Sequence, residues 1–146
     1  MSGAAELLAR LPERFWSVPY KGSRFPGAAD VLARPALRFG ANCQLFAYAV
    51  LGHFGIGVPP LRSSELWHDT AATVHVPAPG PLDLVLFNGD DDPYGAHVGV
   101  WAGGDAVLHL CTEAGRPAVW TRAEFARRAR YRVLLGAKRV VRDGPN

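Results

Sequence analysis

Sulfur-containing residues are scarce in this chain, which has two cysteines and one methionine among 146 residues. So few cysteines exclude a disulfide-stapled secreted fold, and the absence of paired C-x-x-C motifs excludes an ordinary structural zinc site. We therefore expect a reducing compartment and neither a metal nor another cofactor.

Long apolar runs are also missing. The longest, residues 45–51, is far short of the roughly 20 residues that cross a bilayer. The first 16 residues carry four charged side chains and lack the apolar centre of a signal peptide. These features predict no membrane association, and either a cytoplasmic location or export by a dedicated secretion system.

A strong excess of charge is absent as well, because 16 basic residues face 13 acidic ones. The densest basic run, residues 127–132, is only a weak version of the basic stripe with interleaved aromatics that binds nucleic acid, so we interpret it as a solvated helix face. A chain of this length buries roughly 68% of the surface of its unfolded form, enough for one core. We expect a single domain, residues 1–146, with an N-terminal helix and irregular arm at 1–38 and the core at 39–146.

The clearest helix follows Asn42, a preferred N-cap residue. Apolar residues recur at helical spacing from Cys43 to Leu51, and the other side of this helix is apolar too, which is typical of a buried helix. Cys43 then lies at a helix N-terminus, where the dipole favours a thiolate.

The other elements are shorter. Helices come first and strands mostly later, which predicts an α+β domain with an antiparallel sheet. The predicted helices are Ala4 to Leu11, a short Ser-capped helix within Arg62 to Trp67, and one opened by the capping box of Thr121 and Glu124 and running to Arg130; the predicted strands are Asp83 to Phe87, Ala96 to Trp101, Ala106 to Cys111, Val119 to Trp120 and Arg132 to Val141.

Two histidines, His97 and His109, fall on a predicted hairpin around Gly103 and Gly104. A loop of these two glycines alone would place the histidines on opposite faces, because strand side chains alternate. A three-residue loop, or a bulge, would pair His97 with His109 or Cys111 and place both histidines on one face. A catalytic pair therefore requires the odd loop or the bulge.

The order Cys43, His97, His109 suggests a thiol nucleophile, its base and a residue that orients the base. The alternatives are a buried structural thiol and satisfied core histidines. Cys111 shares a strand face with His109, so it could approach the site, be oxidised with Cys43, or join a metal set with the other three. No short ligand pair anchors such a set, and we expect no metal there.

These residues resemble the NlpC-type papain-like cysteine peptidases of bacterial cell-wall turnover. The similarity runs from about Phe39 to the last strand, in an ordered set of motifs. These are Asn42-Cys43-Gln44 for Asp-Cys-Ser, Gly55 to Pro59 and Leu61 to Ser64 for the Gly-Ile, Leu-Pro and Arg-Ser-Ser segment, Pro81 to Phe87 for Pro-Gly-Asp-Leu-Val, His97 to Trp101 for His-Val-Gly-Ile-Tyr, and His109 for the third residue.

The resemblance implies a papain-like fold in which Cys43 attacks an amide, His97 exchanges the proton and His109 holds the His97 ring. It also implies an oxyanion site at the Cys43 backbone N–H with Tyr20, which corresponds to the tyrosine of the family's Pro-Tyr segment. Substrate contacts would come from Arg62, Ser63 and Ser64, whose alternative role is a helix cap with a surface arginine.

The implied function is hydrolysis of an amide in a small peptide, with a cell-wall stem peptide or peptidoglycan fragment as the substrate. An inhibitor protein would be a further partner if the protein is a delivered effector. Asn42, Gln44 and Leu45 replace the family's Asp, Ser and Gly beside the thiol. Two alternatives remain open: an acyltransferase that uses the same Cys-His pair, and a non-catalytic binding module on the same fold.

Overall fold

The computed structural model describes residues 3–141, which form an antiparallel sheet of six strands with helices against both faces. The ends of the predicted domain, residues 1–2 and 142–146, lie outside this range. The helices are α1 (Gly3–Ala9), α2 (Ala29–Ala33), α3 (Cys43–His53), α4 (Ser63–His68) and α5 (Arg122–Ala126), with 3-10 turns at Glu13–Ser17 and Leu37–Phe39. The strands are β1 (Thr73–Val76), β2 (Leu84–Asn88), β3 (His97–Gly103), β4 (Ala106–His109), β5 (Ala118–Thr121) and β6 (Val133–Val140), in the spatial order β1-β6-β2-β3-β4-β5.

Helix α3 is the central helix, as its apolar pattern predicts. The Asn42 side chain caps it by accepting a hydrogen bond from the Leu45 N–H at 2.8 Å. Phe46, Val50 and Leu51 are fully buried against β3 and β4. The helix is short by the standards of a membrane span, and none of the other helices in residues 3–141 is long and apolar enough to cross a bilayer.

The two faces of the sheet bury different layers, because side chains alternate along each strand. One face packs on α3, and the other packs on α5 and on the turn that follows it. The first face includes Leu84, Leu86, Val98, Val100, Leu108 and Leu110, and the second includes Val85, Phe87, Val107 and Cys111, which are covered by Phe125 of α5 and by Tyr131 of the following turn.

The hairpin of β3 and β4 contains the predicted irregularity. Val100 pairs with Leu108 and Trp101 with Val107, but Gly103 then pairs with Ala106, so the register shifts within the hairpin. Left-handed backbone at Gly104 and Asp105 makes the turn. The shift leaves His97 and His109 on the same face, which confirms the bulged arrangement.

Several local predictions differ from the structure, among them the irregular arm, which contains the short helix α2. Helix α5 ends at Ala126 instead of Arg130 because the chain turns to bury Tyr131 in the second layer. Helix α4 begins with Ser63 and has Arg62 at its N-cap, where the Arg62 N–H donates to the Glu65 carboxylate, so no serine caps it. Strand β1 was not predicted, although its Thr-Val-His-Val sequence alternates; it is a short edge strand defined by its pairing with β6.

The arm before α3 is held by a buried arginine. Arg24 is fully buried, and its guanidinium donates to the carbonyls of Gly40, Arg34 and Ala36 at 2.7, 2.8 and 3.2 Å and to the Asp30 carboxylate at 2.8 Å. Its own carbonyl accepts from the Asn42 N–H. Arg24 therefore ties the irregular arm to the residue that caps the helix of Cys43.

Replacing Arg24 by methionine is expected to lower the free energy of unfolding by about 3 kcal/mol or more, since buried carbonyls and a carboxylate lose their donor. The matched control is Arg34→Met, which removes a more exposed pair with the same Asp30 and costs less than about 1 kcal/mol. Urea unfolding of both variants measures the difference. Equal free energies of unfolding for the two variants would show that the buried contacts of Arg24 add no more stability than the exposed pair of Arg34.

Candidate active site

Cys43 is the first residue of α3 and is partly exposed. Its thiol lies close to the backbone of Val98, and the N–H groups of Val98, Gln44 and Cys43 favour the thiolate. Burial outweighs these groups and raises the pKa of Cys43 to about 11. The backbone N–H groups at the helix N-terminus thus favour the thiolate, but burial has the larger effect and keeps the thiol neutral.

His97 and His109 form a hydrogen-bonded pair. The two rings are joined by a 2.9 Å contact between His97 Nε2 and His109 Nδ1, and both side chains are buried. Because Nε2 of His97 is occupied, Nδ1 is the ring atom left to exchange a proton with a thiol. For Nδ1 to accept a proton, His97 must carry its hydrogen on Nε2 and donate it to His109 Nδ1.

Both imidazoles are held neutral. Burial, with a smaller effect from the Arg130 charge, lowers the pKa of His97 to about 3. Burial also lowers the pKa of His109, helped by His97 and Arg128. The His109 Nε2 atom has no hydrogen-bond partner, and this ring lies against Trp120 and Phe125 at centroid distances of 4.1 and 4.7 Å. An apolar, aromatic wall therefore keeps the pair uncharged.

Cys43 and His97 come from opposite layers and meet at the end of the sheet. Helix α3 packs on one face, while the histidine pair lies on the other, yet both side chains line one cleft of about 230 Å³. No hydrogen bond joins the Cys43 thiol to the His97 ring in residues 3–141. The site thus holds a neutral thiol beside a neutral imidazole.

The pairing of the histidines depends on a close approach at Gly99. In a strand, Gly99 shares a face with His97 and lies across from His109. A Cβ atom at Gly99 would come within 2.6 Å of Val107 Cγ1 and 3.4 Å of His109 Cβ. A side chain here would push β4 away and separate the two rings, which accounts for glycine in the middle of a strand.

Tyr20 is brought to the cleft with Cys43, as the resemblance predicts. Its backbone bridges Ala41, two residues before the nucleophile position. Burial raises the pKa of the Tyr20 hydroxyl, and the proximity of Cys43 raises it further. The hydroxyl is therefore a neutral donor beside the sulfur, and its role as an oxyanion donor stays a prediction.

The structure does not bring Arg62, Ser63 and Ser64 to this cleft. Arg62 stacks on the ring of Phe25 at 4.1 Å, and Ser63 is buried in the first turn of α4. None of the three is among the lining residues, which are Tyr20, Cys43, Asn88, Gly89, Gly95, Ala96, His97, Cys111, Thr112, Arg130 and Tyr131. Their contact with a substrate stays a prediction that would require a substrate extending beyond the cleft.

The sequence did not identify Arg130, Thr112, Asn88 and Tyr131 as site residues. The only sequence signal was the basic run, interpreted as a solvated face. Cys111 does approach the site, and its thiol neighbours Tyr131, whose pKa is raised to about 12 by burial and by Cys111. Among residues 3–141, no group of three or more His, Cys, Asp or Glu side chains is arranged to hold a metal ion.

Comparison with protein-family models and with curated protein sequences gives no match. Comparison with solved structures gives an NlpC/P60 family protein from Bacillus cereus ATCC 10987 (TM-score 0.61, 18% identity, 94% of this chain and 40% of that one). It also gives the NlpC/p60 domain of the peptidoglycan hydrolase SagA (TM-score 0.53, 19% identity, 84% of this chain and 92% of that one). A third similar structure is that of an NLP/P60 family protein, described as similar to lipoprotein, from Staphylococcus aureus subsp. aureus Mu50 (TM-score 0.56, 18% identity, 97% of this chain and 41% of that one).

The architecture thus defines an α+β protein of papain-like type. More specifically, the chain has a fold similar to that of these NlpC/P60 proteins, as the motifs led us to expect. The chain spans 40% and 41% of the Bacillus and Staphylococcus proteins but 92% of the SagA domain. At identities of 18 to 19%, this likeness establishes the fold.

The ionisation state of Cys43 is directly measurable. Because burial raises its pKa to about 11, less than a tenth of Cys43 is expected as thiolate at pH 9, where a free thiol with a pKa of about 8.5 is mostly ionised. Thiolate ultraviolet absorbance, taken as the difference between the protein and its Cys43→Ser variant, measures this fraction. A Cys43 thiolate present at pH 6 would show an ion pair with His97 instead.

Proposed function

We propose that this protein is a cysteine hydrolase that cleaves an amide bond in a small peptide through Cys43, His97 and His109. The observation that carries the proposal is that a helix N-terminal thiol and His97, whose ring is hydrogen-bonded to His109, line the same cleft. Nucleophile, base and orienting residue are the three parts that thiol acyl transfer needs.

In the first step, Cys43 Sγ attacks the amide carbonyl carbon while its proton passes to His97 Nδ1. Burial lowers the pKa of His97 to about 3, so its ring is unprotonated at neutral pH and can accept the proton. Transfer of that proton during the attack avoids a free thiolate. The carbonyl oxygen becomes an oxyanion, which accepts hydrogen bonds from the Cys43 backbone N–H and the Tyr20 hydroxyl.

The tetrahedral adduct then collapses. The C–N bond breaks, His97 returns the proton to the leaving amine, and a thioester remains on Cys43. Water attacks this thioester as His97 takes one of its protons. The C–S bond then breaks, and His97 returns the proton to the Cys43 sulfur as the acid product leaves. Throughout, His109 Nδ1 accepts the hydrogen bond from His97 Nε2 and stabilises the transient imidazolium.

Cell-wall stem peptides or their fragments are the proposed substrates. The support is the fold shared with the domain of a protein described as a peptidoglycan hydrolase. The experiment is incubation with a panel of stem peptides, in which mass spectrometry detects new amines. Cys43→Ala is the control, and cleavage that persists in this variant would refute the proposal. Adding a small amine distinguishes an acyltransferase, which would form an amide product in place of the acid.

The second candidate is a non-catalytic binding module. It is favoured by the raised pKa of Cys43 and by the missing hydrogen bond between its thiol and His97. A module would bind a peptide of the panel with no new amine, and Cys43→Ala would leave that binding unchanged. Calorimetric titration beside the cleavage assay separates the two functions.

A further inference from the structure

The described residues that line the cleft carry fixed charge of one sign only, which is positive. Among its described lining residues there is no aspartate or glutamate, and Arg130 is the side chain with a fixed charge. The Arg130 charge acts on both reacting sides of the cleft, since it contributes to lowering the pKa of His97 and opposes the rise in the pKa of Tyr20. The cleft therefore has a positive charge on its wall and no acidic residue in its described lining, while Glu113 acts on the Tyr131 hydroxyl from outside the lining.

Arg130 differs from its basic neighbours in the contacts that its guanidinium makes. Arg128 stacks on the Trp120 ring and donates to the Glu124 carbonyl, and Arg132 donates to the Gly89 carbonyl. The Arg130 guanidinium instead donates through Nη1 to the Thr112 hydroxyl at 3.1 Å.

The described part of the chain provides no carboxylate for Arg130, because its ion pairs are those of Arg24, Arg34 and Arg139. The Arg130 side chain is also exposed, and its guanidinium lies 5.7 Å from the centre of the Tyr131 ring. Its remaining N–H groups are thus free to bind a ligand that enters the cleft.

We propose that Arg130 and Thr112 bind a carboxylate of the substrate next to the scissile amide. A guanidinium presents parallel N–H donors that match a carboxylate, and charge-assisted bonds of this kind are strong. The Thr112 hydroxyl accepts from Arg130 and keeps its own proton to donate to the same carboxylate. This inference rests on the proposed reaction at Cys43 and adds two residues, Arg130 and Thr112, that would select among its substrates by binding a carboxylate near the bond that is cut.

The first test needs no substrate. Iodoacetate and iodoacetamide alkylate the same thiolate, so the ratio of their rates at Cys43 cancels the pKa of the thiol and reports the charge that surrounds it. Mass spectrometry of the digested protein assigns the adduct to Cys43 and separates it from the buried Cys111. At low salt we expect Arg130→Met to lower the iodoacetate-to-iodoacetamide ratio by roughly threefold or more.

The matched control is Arg127→Met, which removes one charge from the same basic run but lies outside the cleft lining. It should leave the ratio within about 1.5-fold of the unmodified protein, because separated surface charges are screened. Arg130→Lys keeps the charge and should keep most of the ratio. The proposal is overturned if Arg130→Met changes the ratio no more than Arg127→Met.

The second test uses a cleaved peptide in two forms, one with a free carboxylate beside the scissile bond and one with that group amidated. Arg130→Met should raise KM for the carboxylate form by about tenfold or more and leave KM for the amide form unchanged. Arg130→Lys should raise KM less than Arg130→Met does, because lysine keeps the charge but lacks the two parallel N–H donors of a guanidinium. If cleavage depends on Cys43 but Arg130→Met changes KM for the two peptide forms equally, the carboxylate site alone is refuted. Cleavage that survives Cys43→Ala refutes the proposed function.

Discussion

His97→Ala is expected to lower kcat/KM for a cleaved peptide by about 1,000-fold, because the Cys43 proton then has no acceptor and the leaving amine no donor. General acid and base catalysis by one positioned side chain contributes two to four orders of magnitude. The neutral thiol makes the dependence steep, since burial raises the pKa of Cys43 to about 11 and leaves almost no thiolate at neutral pH. Steady-state kinetics of the purified variant measures the loss.

The control for this variant is His68→Ala, which removes an exposed imidazole at the end of α4 and should leave kcat/KM unchanged. His109→Gln keeps a side-chain hydrogen-bond acceptor and should lose less than His97→Ala, because His109 acts through the orientation of His97. A double variant, Cys43→Ala with His97→Ala, should be no worse than Cys43→Ala alone, since the two residues act as a unit. Full activity in His97→Ala would remove this histidine from the mechanism.

Mild acid is expected to destabilise the fold strongly. The pKa of His97 falls to about 3 on folding and that of His109 is lowered as well, whereas an unfolded histidine has a pKa of about 6.5. Below pH 6.5 the unfolded chain therefore binds protons that the folded chain does not. Stability present at pH 7.5 is lost as the pH falls toward 3, and at pH 5 the loss is about 2 kcal/mol for each ring, about 4 kcal/mol together.

Urea unfolding at pH 7.5 and pH 5 measures this loss. Carboxylates with lowered pKa values, such as those of Asp30 and Asp69, titrate below this window and add little to it. The double variant with His97→Gln and His109→Gln should lose less than about 1 kcal/mol over the same range, because it no longer buries the two imidazoles. An unmodified protein that is equally stable at both pH values would mean that the pair is solvated.

Patterns near Cys43 predicted the structure well. The apolar residues after Asn42 specify a helix by spacing alone, and its N-cap is a local hydrogen bond. The face shared by His97 and His109 followed from strand alternation once a bulge was assumed, and the structure has that bulge. Such features depend on neighbours in sequence, which a single chain displays directly.

Features that depend on distant contacts were missed. The pKa of the Cys43 thiol is raised by burial, which depends on residues distant in the chain and cannot be inferred from the spacing of motifs. Arg130 reaches the cleft only because α5 ends early and the chain turns to bury Tyr131. The segment Arg62-Ser63-Ser64 matched a family motif by its letters, but the structure places it away from the lining residues.

The most direct test of the central claim is the acylation of Cys43 by an activated ester, followed by intact-protein mass spectrometry. The account predicts one acyl group per chain, located on Cys43, formed about 100-fold or more faster than in His97→Ala and absent in Cys43→Ala. An acyl group that forms at the same rate in His97→Ala, or that attaches elsewhere in the chain, would contradict it.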